Sequence, residues 1–159
     1  MSVITWVQRK SRLSTLIDKP GGVSVGVALA EAKANLATLE GRSREVVAER
    51  IGELLALPAP TTAEESDQLR QQAYRASSAV IDAAGPFELT DLCAAASGLC
   101  DLIDAAPAGK PFDWRIVTVH AQALQLLMSL GPDAAESKAL VLDNLRLVLE
   151  RKLGSASAG

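Results

Sequence analysis

Apolar residues recur through most of the chain at intervals of three and four, the period of an α-helix, and proline and glycine fall between the runs. Leu13, Leu16 and Ile17 predict a short first helix over about Val7 to Asp18, ended by Lys19-Pro20-Gly21-Gly22. Ser24 then stands where it can cap a long helix to about Leu57, with Leu29, Ala32, Leu36, Leu39, Val46, Ile51 and Leu54 as its apolar stripe and Gly41 as a place to bend. Pro58-Ala59-Pro60 stops that helix, and Thr62 with Glu65 has the spacing of a capping box for a third, running to about Ala84 with Leu69, Ala73, Ala76, Val80 and Ala83 inward. Gly85-Pro86 suits a helix end followed by a helix start, so a fourth helix is predicted over about Phe87 to Ala105, burying Leu89, Leu92, Cys93, Ala96, Leu99, Cys100 and Ile103. Its run Ala94-Ala95-Ala96-Ser97-Gly98 is small enough to predict a close crossing with another helix. Asp113 is placed to cap a fifth helix to about Leu130, with Phe112 positioned to pack on Val117, and Asp133 with Glu136 predicts a second capping box before a last helix to about Leu153.

No run alternates apolar and polar for more than a few residues, so no sheet is expected. The fold class is all-α: one antiparallel helical bundle of five to six helices over residues 1–153, with a disordered tail over 154–159. A chain of 159 residues can bury about 68–70% of its unfolded surface, enough to fold without disulfides or metal. Only Trp6, Tyr74, Phe87, Phe112 and Trp114 are aromatic, so the core falls to Leu, Val, Ile and Ala.

Charge narrows the function classes. The net charge of −3, with both signs interspersed, lacks the basic face of a nucleic-acid binder; the one basic cluster, Arg9, Lys10 and Arg12, suits a solvated helix face. No basic segment precedes an apolar one at the N-terminus, and no stretch reaches the length of a membrane span, so a cytoplasmic protein with no membrane contact is expected.

The search for chemistry is mostly negative. P-loop, dinucleotide-binding, metalloprotease, CxxC and nucleophile-elbow patterns are all missing, so no enzyme activity, cofactor or metal is expected. Cys93 and Cys100 lie seven apart, about 10.5 Å along a helix axis, too far to pair within one helix and placed as small buried thiols. The chain has 1 histidine, His120, in the stripe Ile116, His120, Ala123, Leu127 and Leu130. It reads as a packed histidine with one hydrogen bond. A phosphoaccepting histidine would want an exposed ring and a cation one turn away, and the next turn offers Ala123 and Leu124.

The segment Ala73-Tyr74-Arg75-Ala76-Ser77-Ser78-Ala79, followed by the Gly85-Pro86 turn and the small-residue helix from Leu92 to Asp101, resembles the A-H-x-L-K-G-S pattern of histidine phosphotransfer domains. That resemblance implies a four-helix core in which Tyr74 stands for the phosphoaccepting histidine, Ser77 for the lysine and Ser78 for the glycine. A tyrosine cannot carry N-phosphoryl chemistry, so what is implied is a docking face, Tyr74, Arg75, Ser77 and Ser78, without the transfer. The chain is also similar to small helical proteins encoded among alphaproteobacterial chemotaxis genes, the CheE-like group, through Lys19-Pro20-Gly21-Gly22 and the Ala-rich helix after it, Leu99-Cys100-Asp101-Leu102-Ile103-Asp104, and Trp114 through His120 to Leu124. Together these imply a non-catalytic adaptor in a chemotaxis or two-component pathway, docking a response-regulator receiver domain or a kinase component. Phosphotransfer through His120 and a structural homodimer packed through the small face of the fourth helix are the alternatives.

Overall fold

A computed structural model describes residues 21–107 and 110–156. The expected first helix and the Arg9, Lys10 and Arg12 cluster lie outside them. Among the described residues the fold is all-α: α1 (Val25–Ala56), α2 (Ala63–Ala84), a 3-10 turn (Gly85–Phe87), α3 (Thr90–Asp104), α4 (Arg115–Ser129) and α5 (Ala135–Ala156), with no strand.

The chain divides into two compact units, Met1–Thr38 and Leu39–Gly159, where its sequence predicts one domain over 1–153. The boundary falls within α1, which is helical without interruption through Gly41. Each unit is understood by itself. In residues 21–38 the helix starts at Ser24, whose Oγ accepts the Val27 N–H at 3.3 Å, and Val25, Leu29 and Leu36 are exposed. In the second unit α1 buries Ser43, Val47, Ile51 and Leu54, one face at helical spacing, while Leu39 and Val46 of the expected stripe are exposed. The reason is register. The Ser43 hydroxyl donates to the carbonyl of Ala83, one residue before α2 ends, so α2 offers nothing further to cover Leu39.

The remaining helices alternate in direction. Cys93 Sγ lies 4.0 Å from the Ile81 carbonyl and Cys100 Sγ 3.9 Å from that of Tyr74, two contacts that fix α3 antiparallel to α2. Helix α3 is central, packing on α2, α4 and α5. Its buried residues Leu92, Ala95, Ala96, Leu99, Cys100 and Leu102 therefore spread round the helix rather than along one stripe. Small residues make this possible, because Ala95 and Ala96 let neighbours approach from two sides. From α4 come Ile116, Val117, His120, Ala121, Leu124 and Leu127, and from α5 chiefly Leu145.

Several ends differ from expectation. The Thr62 hydroxyl accepts the Glu65 N–H at 3.1 Å as predicted, but the Glu65 carboxylate turns to the Thr61 N–H, at 2.8 Å, one residue before the cap. The fourth predicted helix begins later than Phe87. Pro86 has no N–H to extend the α2 ladder, so the chain tightens into the 3-10 turn. The left-handed residue is then Glu88, at φ 55°, rather than Gly85, which keeps helical angles. Among the described residues neither Asp133 nor Glu136 makes a cap hydrogen bond, so the second capping box does not form. Phe112 meets Trp114 edge to face, with centroids 5.2 Å apart, under the Arg70 guanidinium of α2. Helix α5 runs through Gly154 to Ala156, where disorder from Gly154 is expected; Leu149 and Leu153 pack on the core and Lys152 binds Asp113 at 2.7 Å, which holds its last turns.

Candidate functional site

The four residues singled out on α2 separate. Tyr74 (36% exposed) and Arg75 form an exposed ridge, Ser78 is half-buried, and Ser77 is sealed. Positions 74, 77 and 78 do share a side of the helix, but that side rolls under α3 as α2 runs on. Ser77 therefore cannot touch a partner. Its Oγ makes no hydrogen bond of ordinary geometry, although the hydroxyl eases ionisation of the neighbouring Cys100 thiol.

The ridge stands between two shallow grooves. One, of about 470 Å³, lies between α2 and α3 and is lined by Asp67, Arg70, Tyr74, Arg75, Ile103 and Asp104. The other, of about 530 Å³, lies between α1 and α2 and includes Arg50, Glu53, Leu57, Gln72 and Arg75. Arg75 lines both. The Tyr74 phenol is held above its ordinary pKa, first by the negative charge of Asp104, then by Cys100, burial and Asp101, so at neutral pH it remains an O–H donor. An aromatic body with a polar tip, flanked by a guanidinium and by carboxylates, is the composition of an interface anchor.

Cys93 and Cys100 are both free thiols directed at α2 carbonyls. Burial pushes the Cys93 thiol up, and burial together with Asp104 and Asp101 pushes that of Cys100 up to about 11. Neither is a thiolate at neutral pH, so both serve packing rather than nucleophilic chemistry.

His120 is 1% exposed. Its Nδ1 lies 2.8 Å from the carbonyl oxygen of Ile116. A carbonyl only accepts, so Nδ1 carries the hydrogen. Burial lowers the ring's pKa, outweighing that hydrogen bond, and keeps it neutral. Phosphotransfer needs Nε2 to meet an acyl phosphate held in another protein's site, and a protein surface cannot follow the ring to this depth between helices.

Nε2 faces Gly98 of α3, where a Cβ would stand 3.7 Å away. The small run on α3 thus makes the close crossing its composition predicts, with Ala95 and Ala96 in the core and Gly98 against His120. A homodimer packed through this face loses those residues to the interior. The crossing leaves a groove of about 380 Å³ whose walls are Ala95, Gly98, His120, Leu142, Leu145 and Leu149.

Two further polar groups are paired between elements. Asp113 accepts from Arg115 and Lys152, which together hold its carboxyl well below the usual carboxylate range. Lys138 of α5 reaches Asp91 of α3 at 3.4 Å. Among the described residues no three His, Cys, Asp or Glu side chains could hold a metal ion, and no helix is long and apolar enough to cross a membrane. The pairs 113–152 and 91–138 were not legible in the sequence, since each joins residues far apart in the chain and only helix spacing was available as a signal. The Gly98–His120 contact was half visible, as a small run and a lone histidine that nothing linked. No family model, curated protein or solved structure matches this chain.

Proposed function

We propose that the chain is a non-catalytic helical docking module, an adaptor whose partner is a response-regulator receiver domain or kinase component of a chemotaxis or two-component pathway. The observation that carries the docking reading is the ridge of Tyr74 and Arg75, raised between two grooves, while Ser77 and His120 are buried and Ser78 is half-buried. The pathway rests on the resemblances of the α2–α3 segment and the strings around it. Support for the lack of transfer is the burial of His120, whose ring lies too deep between helices for a phosphate held by another protein.

Calorimetric titration against purified receiver domains and chemotaxis kinases of the source organism tests this. Tyr74→Ala and Arg75→Glu should each weaken binding at least tenfold, as truncation of a central anchor does. Folded variants that bind as tightly as wild type would remove the ridge from the reading. Incubation with a phosphorylated receiver should leave the protein unlabelled; acid-labile label lost in His120→Gln would promote phosphotransfer instead.

A homodimer is the second reading, favoured by a different surface. Val25, Leu29, Ala32 and Leu36 follow each other at four, three and four, the spacing of a coiled-coil seam, and the large ones are 56–76% exposed. Sedimentation equilibrium of wild type and Leu29→Lys decides it: a dimer dissociated by the substitution supports self-association, and a monomer at all concentrations rejects it.

A further inference from the structure

The groove between α3, α4 and α5 holds one unused polar atom. With Nδ1–H committed to Ile116 and the ring neutral, Nε2 of His120 is a bare acceptor, and among the described residues it has no hydrogen-bond partner. The ring as a whole is 1% exposed, and glycine at position 98 leaves its Nε2 edge as part of the groove's lining. Everything else lining the depth of the groove is aliphatic: Ala95, Leu142, Leu145 and Leu149. Asp143 and Arg146 stand at the mouth and neutralise each other at 2.9 Å, so the approach favours neither sign of charge. A dry apolar cavity of about 150 Å³ admits a benzene ring. At about 380 Å³ this groove has room for two fused rings and falls in the range of small-molecule sites.

We propose that this groove binds a neutral, largely apolar bicyclic molecule carrying one N–H or O–H donor, which hydrogen-bonds to Nε2 of His120. Apolar walls supply the affinity, and the single acceptor supplies orientation and selectivity. Recognition of this kind discriminates between isosteres, because an analogue without the donor leaves Nε2 buried and unpaired. Nothing in the proposal depends on the Tyr74 ridge, which lies on α2.

Indole and indene make the test, sharing ring size and differing in the N–H. The full-length chain, labelled with ¹⁵N, has 1 histidine, so its ring signals need no assignment by mutation. Indole should move the Nε2 resonance in a saturable manner and bind about five- to tenfold tighter than indene. Gly98→Ala sets a methyl 3.7 Å from Nε2, an ordinary contact that the fold accepts, and should abolish the response. In His120→Phe, which keeps an aromatic ring, indole should bind no tighter than indene; this arm stands even if Gly98→Ala fails to fold. The proposal is overturned by an Nε2 signal unmoved at the solubility limit of indole, by equal affinities for the two compounds, or by a folded Gly98→Ala that binds indole like wild type.

Discussion

Replacing Ser77 by alanine removes a hydroxyl that the fold buries completely and satisfies with no hydrogen bond. A buried hydroxyl without a partner costs about 1–3 kcal/mol of stability through lost hydration. Alanine is also the better helix former, by a few tenths of a kcal/mol within α2. Against these stands the loss of one oxygen's dispersion contacts, again a few tenths. The balance is a gain of about 1–3 kcal/mol, which raises Tm by about 2–12 °C for a chain of this size. Urea unfolding followed by circular dichroism measures it directly, as a higher midpoint at unchanged slope. Binding to any partner should be unaffected, because residue 77 never reaches the surface. A loss of 1 kcal/mol or more would refute the reasoning. It would mean that the hydroxyl makes a bond in solution, with the Cys100 thiol as the nearby candidate, and that Ser77 is part of the packing rather than a flaw in it.

Ala96→Leu should destabilise by about 1–3 kcal/mol in the same assay, since Ala96 is fully buried in the core and lies away from the groove at His120; a neutral result would place that face outside the core. Asp113→Asn should cost about 1 kcal/mol at neutral pH by loosening Lys152 and Arg115. Because the native carboxyl titrates below its unfolded value of about 3.9, the stabilisation is complete above that pH and fades as pH falls through the native pKa, so the gap between variant and wild type should close in strong acid. A gap unchanged down to acid pH would show that charge contributes nothing there. His120 has the opposite sign from a histidine with an anionic partner. Its native pKa is depressed, so the unfolded chain takes the proton first and stability falls as pH drops below about 6.5. The single His ring signal should titrate below that value in NMR; titration at or above it would mean the ring is not desolvated.

Helical spacing reveals the number and order of the elements well, because the buried positions of α2, α3 and α4 repeat at three and four and Pro or Gly separates them. What it cannot show is which part of a stripe finds a partner. Leu39 continues the pattern of Ile51 and Leu54, yet α2 ends opposite Ser43 and leaves it in solvent. The α2 ridge was legible at Tyr74 and Arg75 but not at Ser77, for a related reason. Spacing puts residues 74, 77 and 78 on one side of the helix, whereas the angle at which α3 crosses decides where that side goes under. Capping boxes depend on local backbone angles, so Thr62–Glu65 formed in a shifted version and Asp133–Glu136 not at all. The groove at His120 needed two elements to meet, and no local pattern records that Gly98 would face the ring.

Amide chemical-shift mapping tests the docking reading most directly. The ¹⁵N-labelled chain is titrated with an unlabelled receiver domain or kinase component that binds it, and the shifted amides are placed on the fold. They should concentrate between Asp67 and Arg75 on α2 and at Ile103 and Asp104 on α3, the lining of the groove beside Tyr74, and should spare the residues around His120. Shifts gathered instead on α4 and α5 around His120, with the α2 ridge silent, would contradict it.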